Sequence, residues 1–103
     1  MLMDRIENAV FAAFEEVQAG RKVMILVPNR EWASIVQKSW KLPEIWVRAS
    51  TVESGLKSVP IDTLILVGTD HHDWNVAGES YARERVHPSP NGRIIIFDPD
   101  IGD

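Results

Sequence analysis

Two five-residue stretches, Val23–Val27 (VMILV) and Thr63–Val67 (TLILV), carry almost no polar side chains. A strand with one wet face alternates polar and apolar residues. A strand without that alternation has both faces covered, which is the condition of the inner strands of a parallel sheet. The first run is stopped by Pro28, which cannot continue the ladder, and the second by Gly68. A chain with two such strands needs helical layers on both sides of them.

The intervening segments supply helices. Asp4–Ala19 reads as an amphipathic helix, because Met3, Ile6, Val10, Ala13, Phe14 and Val17 recur at three- and four-residue steps. Asp4 and Glu7 have the spacing of a capping box. Gly20 supplies a stop, and Arg21 and Lys22 follow beside the negative end of the helix dipole. Phe11 and Ala12 widen the apolar stripe, so this helix is expected to touch both the sheet and a partner. Asn29 is a good N-cap for a second helix, which sets Trp32, Ile35, Val36, Ser39 and Trp40 on one face and closes at Pro43. Glu44–Ala49 (EIWVRA) reads as a shorter strand. Ser50 and Glu53 have cap spacing for a helical turn over Thr51–Ser58. Asn75–Val86 is predicted helical, with Trp74, Ala77, Tyr81 and Arg85 on one face and Gly78 costing about 1 kcal/mol relative to alanine. His87–Gly92 is a loop by its Pro and Asn-Gly chemistry, and Arg93–Phe97 (RIIIF) is the last strand before the polar DPDIGD.

Helices alternating with apolar strands predict a single α/β domain over residues 1–103, a three-layer Rossmann-like arrangement of about four parallel strands with right-handed crossovers. Strand orders 3-2-1-4 and 2-1-3-4 both fit this pattern. The absence of cysteine excludes disulfides, zinc-thiolate sites and thiol catalysis. A net charge of -4 disfavours nucleic-acid binding, which rests on Lys and Arg neutralising phosphates. The first residues lack the basic-then-apolar pattern of a signal peptide, and no apolar run approaches ~20 residues, so the expected location is cytoplasmic, with no membrane contact.

The order GRKVMILVPNREWASIVQ, VRASTVESGL, IDTLILVGTDHH, GRIIIFDPD resembles the first RecA-like domain of superfamily 2 helicases and related terminase ATPases. Val27-Pro28-Asn29-Arg30-Glu31 is similar to the family's strand-end motif Ia, and Ser50-Thr51 with Gly55-Leu56 to the region near motif Ib. The strand into Val67 sits where the DEAD/DEAH strand would be, and Ile94–Phe97 where motif III would follow. The resemblance breaks at the catalytic parts. No G-x-x-x-x-G-K-[ST] occurs, so no lysine and backbone cradle holds the β- and γ-phosphates. Gly68 and Thr69 stand where the family has its magnesium-binding Asp and catalytic Glu, and His71 alone would match the family's histidine. The resemblance therefore implies a degenerate, ATPase-dead domain.

In a parallel sheet the residues following each strand gather along one edge. That edge collects the candidate ligand- or partner-binding residues Asn29, Arg30, Arg48, Ser50, Thr51, Thr69, Asp70, His71, His72 and Trp74, with Arg93 grouped among the phosphate-binding cations. Three functional classes follow. The first is a non-catalytic, helicase-like binding module, of the size of a small phage-type accessory or regulatory protein. It needs no cofactor and would meet a protein partner, or a second copy through the Asp4–Ala19 helix. The second is a metal-dependent phosphoesterase or nuclease using Asp70, His71 and Asp73, with Asp70, His71, His72, Asp98 and Asp100 as ligands of a divalent metal. The third is a nucleotide-phosphate sensor without hydrolysis. The bland alternative for Asp70–Asp73 is a polar loop in which Asp73 caps the following helix. Of the four tryptophans, Trp32, Trp40 and Trp46 fit the core, and Trp74 fits either the core or a partner anchor.

Overall fold

VMILV and TLILV lie side by side at the centre of the sheet, and all ten of their residues are buried. The structure, a computed structural model, describes residues 2–43, 46–51, 60–86 and 92–97. In chain order these form α1 (Leu2–Gln18), β1 (Val23–Val27), α2 (Arg30–Trp40), β2 (Val47–Ala49), β3 (Thr63–Val67), α3 (Val76–Val86) and β4 (Arg93–Phe97). The strands make one all-parallel sheet in the order β2-β1-β3-β4. The 2-1-3-4 order is therefore the one adopted, in a three-layer α/β fold of Rossmann-like type.

Strand alternation divides the core in two. Val23, Ile25, Val27, Ile65 and Val67 point to the face covered by Ile6, Ala9, Val10 and Ala13 of α1 and by Ala33 and Val36 of α2. Met24, Leu26, Leu64 and Leu66 point to the other face, against Ala82 and Val86 of α3. Each fully buried Leu, Ile or Val contributes about 1.5–3 kcal/mol. β4 ends one side of the sheet among the described residues, and its apolar side chains stay partly exposed on both faces.

Several boundaries depart from the sequence reading for local reasons. α1 already begins at Leu2, so Asp4 lies in the first helical turn instead of at a cap, where its charge still favours the helix dipole. α2 stops before Pro43 because Lys41 adopts the left-handed conformation (φ 53°) and its N–H donates to the Gln37 carbonyl. The inner face of α2 is made by Ala33 and Val36, and Ser39 is exposed. β2 is described over Val47–Ala49, and residues 44 and 45 of the expected strand lie outside the described residues. The N–H of Trp46, just before β2, donates to the Pro43 carbonyl (3.0 Å), and its ring meets Phe14 edge-on at 5.7 Å. The buried side of α3 is Gly78, Ala82 and Val86, one residue round from the expected face, and Ala77 is exposed. The cause is Gly78, which lets the helix lie directly on the Ser50 carbonyl. The expected turn over residues 52–58, the loop at 87–91 and the tail from residue 98 lie outside the described residues.

A polar clasp holds the amino edge of the sheet. Glu16, on the buried side of α1, accepts from Thr63 Oγ1 (2.6 Å), Arg93 Nε (2.7 Å) and Arg21 Nε (3.2 Å). Arg93 thus stands at the start of β4, at the end opposite to the strand-end residues with which the sequence reading grouped it. Its hydrogen bond is the main reason the Glu16 carboxyl is held below its ordinary value of 4.5, with Thr63 and Arg21 adding to it and burial opposing it. No buried side-chain nitrogen or oxygen among the described residues lacks a partner.

Two outcomes follow. Helix propensity alone would make Gly78→Ala stabilising by about 1 kcal/mol. The added Cβ overlaps the Ser50 backbone, which has no room to yield, so a net loss of about 1–3 kcal/mol is expected in urea unfolding. Because the folded chain ionises Glu16 more readily than the unfolded chain does, the unfolded chain binds more protons as the pH falls. The Glu16 contribution is complete above about 4.5 and is lost as the pH drops towards the lowered folded value. Glu16→Gln is expected to lower stability at neutral pH and to flatten its fall below that point, read by thermal melts across an acid series.

Candidate functional site

At the carboxyl ends of β1 and β3 the chain departs in opposite directions. From β1 it enters α2 on one face of the sheet, and from β3 it leads to α3 on the other. Ligands of open α/β sheets bind in the crevice at such a switch point. Here it lies between Asn29 and the loop of residues 68–75.

The loop is shaped by two hydrogen-bonded turns. His71 N–H donates to the Gly68 carbonyl (3.0 Å) and Trp74 N–H to the His71 carbonyl (3.0 Å). Gly68 has φ 87°, and a Cβ there would stand 2.7 Å from Pro28 Cγ, so glycine is required twice over. The glycine that ends β3 is thus fixed by backbone geometry.

Most of the expected binding groups are engaged with the protein itself. Asn29 Oδ1 accepts from the Trp32 N–H (2.9 Å), capping α2 as predicted, while Asn29 Nδ2 donates to Asp73 Oδ2 (2.7 Å) and spans the crevice. The residue that caps α3 is Asn75, whose Oδ1 accepts from the Ala77 N–H (3.0 Å), so Asp73 is free of the capping role foreseen for it. Ser50 is fully buried. Its hydroxyl donates to the Pro28 carbonyl (2.8 Å) and accepts from the Asn75 N–H (3.1 Å), tying the ends of β1 and β2 to the start of α3. It is a staple of the fold. Asp70 forms a two-pronged pair with Arg5 of α1 (2.8 and 3.4 Å), and that bond holds its carboxyl below the ordinary range. Thr51 is exposed and Thr69 half-buried beside this group. Trp74 is half-buried against the α3 core cluster, with Nε1 donating to Glu79 Oε1 (2.9 Å), which favours the core role over the anchor role.

The fold gathers two further sets of groups. Arg30 and Arg48 line a groove of 290 Å³ between α2 and β2, together with Ser34, Gln37 and Val47. His71, His72 and Asp73 sit together on the loop, with ligand atoms within 4.8 Å of one another. Asp98 and Asp100 lie outside the described residues. Sequence reasoning missed Arg5 as the partner of Asp70, for which no local pattern exists. It also missed Glu16, which was detectable as an acid three residues after Ala13 on the apolar stripe.

No known family, curated protein or solved structure matches the chain. No helix among the described residues is long and apolar enough to cross a membrane.

The double role of Asn29 gives a measurable outcome. Asn29→Ala removes the α2 cap and the tie to Asp73 together. A loss of about 0.5–2 kcal/mol is expected in chemical denaturation.

Proposed function

We propose that this chain is a non-catalytic binding module on a helicase-like scaffold, and that it meets a protein partner through the outer shoulder of α1. The observation that carries this reading is an apolar strip on a helix that has already satisfied the core. Ile6, Ala9, Val10 and Ala13 are buried against the sheet, yet Phe11 (54% exposed), Phe14 (39%) and Met3 (38%) remain at the surface. By helical spacing these three share the side of α1 on which Phe14 meets Trp46. Exposed aromatic groups of this kind mark interaction surfaces, since each phenylalanine can bury on the order of 150–250 Å².

Charge defines the partner. Asp4, Glu7 and Glu15 are exposed on the same outer side of α1, and the whole chain carries -4. Two copies would bring acid against acid, so the matching surface is an apolar groove with a Lys- and Arg-rich rim. The closed crevice at the switch point supports the non-catalytic part of the reading, because Asn29, Ser50 and Asp70 are bound to other parts of the chain. A helicase-like scaffold without phosphate loop or acidic pair is consistent with binding in place of turnover.

A photo-crosslinking side chain at position 11, compared with one at the exposed position 83 of α3, tests this in cells that produce the protein. A protein product specific to position 11 is expected. With that protein purified, Phe11→Ala should weaken binding at least about tenfold, and added salt should slow association. Equal products at both positions, or affinity indifferent to Phe11→Ala, would overturn the reading. A product joining two copies of this chain would replace the foreign partner with self-association.

A further inference from the structure

The loop after β3 brings two imidazoles and a carboxylate onto one small exposed area. The His71 and His72 rings are stacked, with centroids 4.3 Å apart and planes inclined by 24°. Asp73 completes the set, with Oδ1 3.5 Å from His72 Nε2.

A hydrogen bond from a neighbouring residue holds the carboxylate as metal-bound carboxylates are commonly held. Asn29 Nδ2 donates to Asp73 Oδ2 at 2.7 Å, fixing the carboxylate and leaving Oδ1 on the histidine side. His71 Nδ1 accepts from the Asp73 backbone N–H at 3.1 Å. Metal binding at Nδ1 displaces that amide from the lone pair. Asp70 does not belong to the set, since Arg5 occupies both of its oxygens.

We infer that His71, His72 and Asp73 together bind one divalent transition-metal ion. Two nitrogens and one oxygen suit zinc, nickel or copper(II), and are a poor match for magnesium or calcium, which take oxygen ligands. Metal–ligand bonds of about 2.0–2.2 Å need donors closer together than the present span of up to 4.8 Å. The His72 side chain, 84% exposed, is the one with room to rotate towards the other two. Three ligands leave a position open to water or to a group from another molecule. The site uses none of the α1 surface residues, so it stands or falls separately from the partner reading.

Isothermal titration of zinc into the metal-stripped full chain tests the site, with magnesium as the comparison. One zinc per chain and no saturable magnesium heat are expected. His72→Ala and Asp73→Asn should each weaken zinc binding at least tenfold. His87→Ala, which removes the third histidine of the sequence, should leave it unchanged. Circular dichroism of each variant separates loss of a ligand from loss of fold, and His72→Ala, at an exposed position, is expected to keep the wild-type spectrum. The inference is overturned by absence of saturable zinc binding, by binding that survives combined His71→Ala and His72→Ala replacement, or by loss with His87→Ala alone.

Discussion

Two-sided burial of β1 and β3 is the constraint from which the rest of the molecule follows. Ten consecutive-pattern residues with no tolerance for water on either face require a helix above and a helix below, and hence crossovers that leave β1 and β3 towards opposite layers. That divergence creates the switch-point crevice. The same parallel connectivity sends every strand end to one edge and every strand start to the other. The polar chemistry is therefore divided between two rims before any side chain is chosen.

The two rims are used differently. At the amino edge, Glu16 gathers Arg21, Thr63 and Arg93 and so couples α1 to the sheet's last strand, β4, which has no further strand beside it among the described residues. A buried carboxylate without these donors would be strongly unfavourable, so its partners are held in place as a group. At the carboxyl edge the same logic closes the crevice. Ser50, with Gly78 pressed on its carbonyl, joins the ends of β1 and β2 to the start of α3, and Arg5 reaches from α1 to Asp70. Residues that in an enzyme would face a ligand are here satisfied by the chain.

What could be read from the sequence was what local physics decides. The spans of β1, β3 and β4 and the Asn29 cap were recoverable from apolar runs, Pro28 and the preference of Asn for caps. Two strand orders remained open because crossover handedness restricts topology without fixing neighbours. The face of α3 was misjudged because its periodicity is weak and Gly78 was counted as a propensity cost, when its value lies in a contact with Ser50, 28 residues earlier in the chain. The strand-end cluster was recognised as a set, but not its division. Arg5 and Asp70 are 65 residues apart, and nothing in the local pattern of either announces the other. Arg93 was assigned to the wrong rim because a strand's first residue was treated like its last.

The division within the cluster also changes which residues can have a function. Asp70 looked like the natural acid of the group, being first in Asp70-His71-His72-Asp73, yet its pairing with Arg5 makes it a tether of α1 to the β3 loop. Asp73 looked like a helix cap, yet Asn75 performs that task and Asn29 holds Asp73 turned towards the histidines. An acid so oriented, with one oxygen fixed and the other directed at an imidazole, is what metal ligation needs. The α1 shoulder poses the same question in apolar terms, since a helix that has filled its side of the core gains nothing in the isolated chain from exposing Phe11.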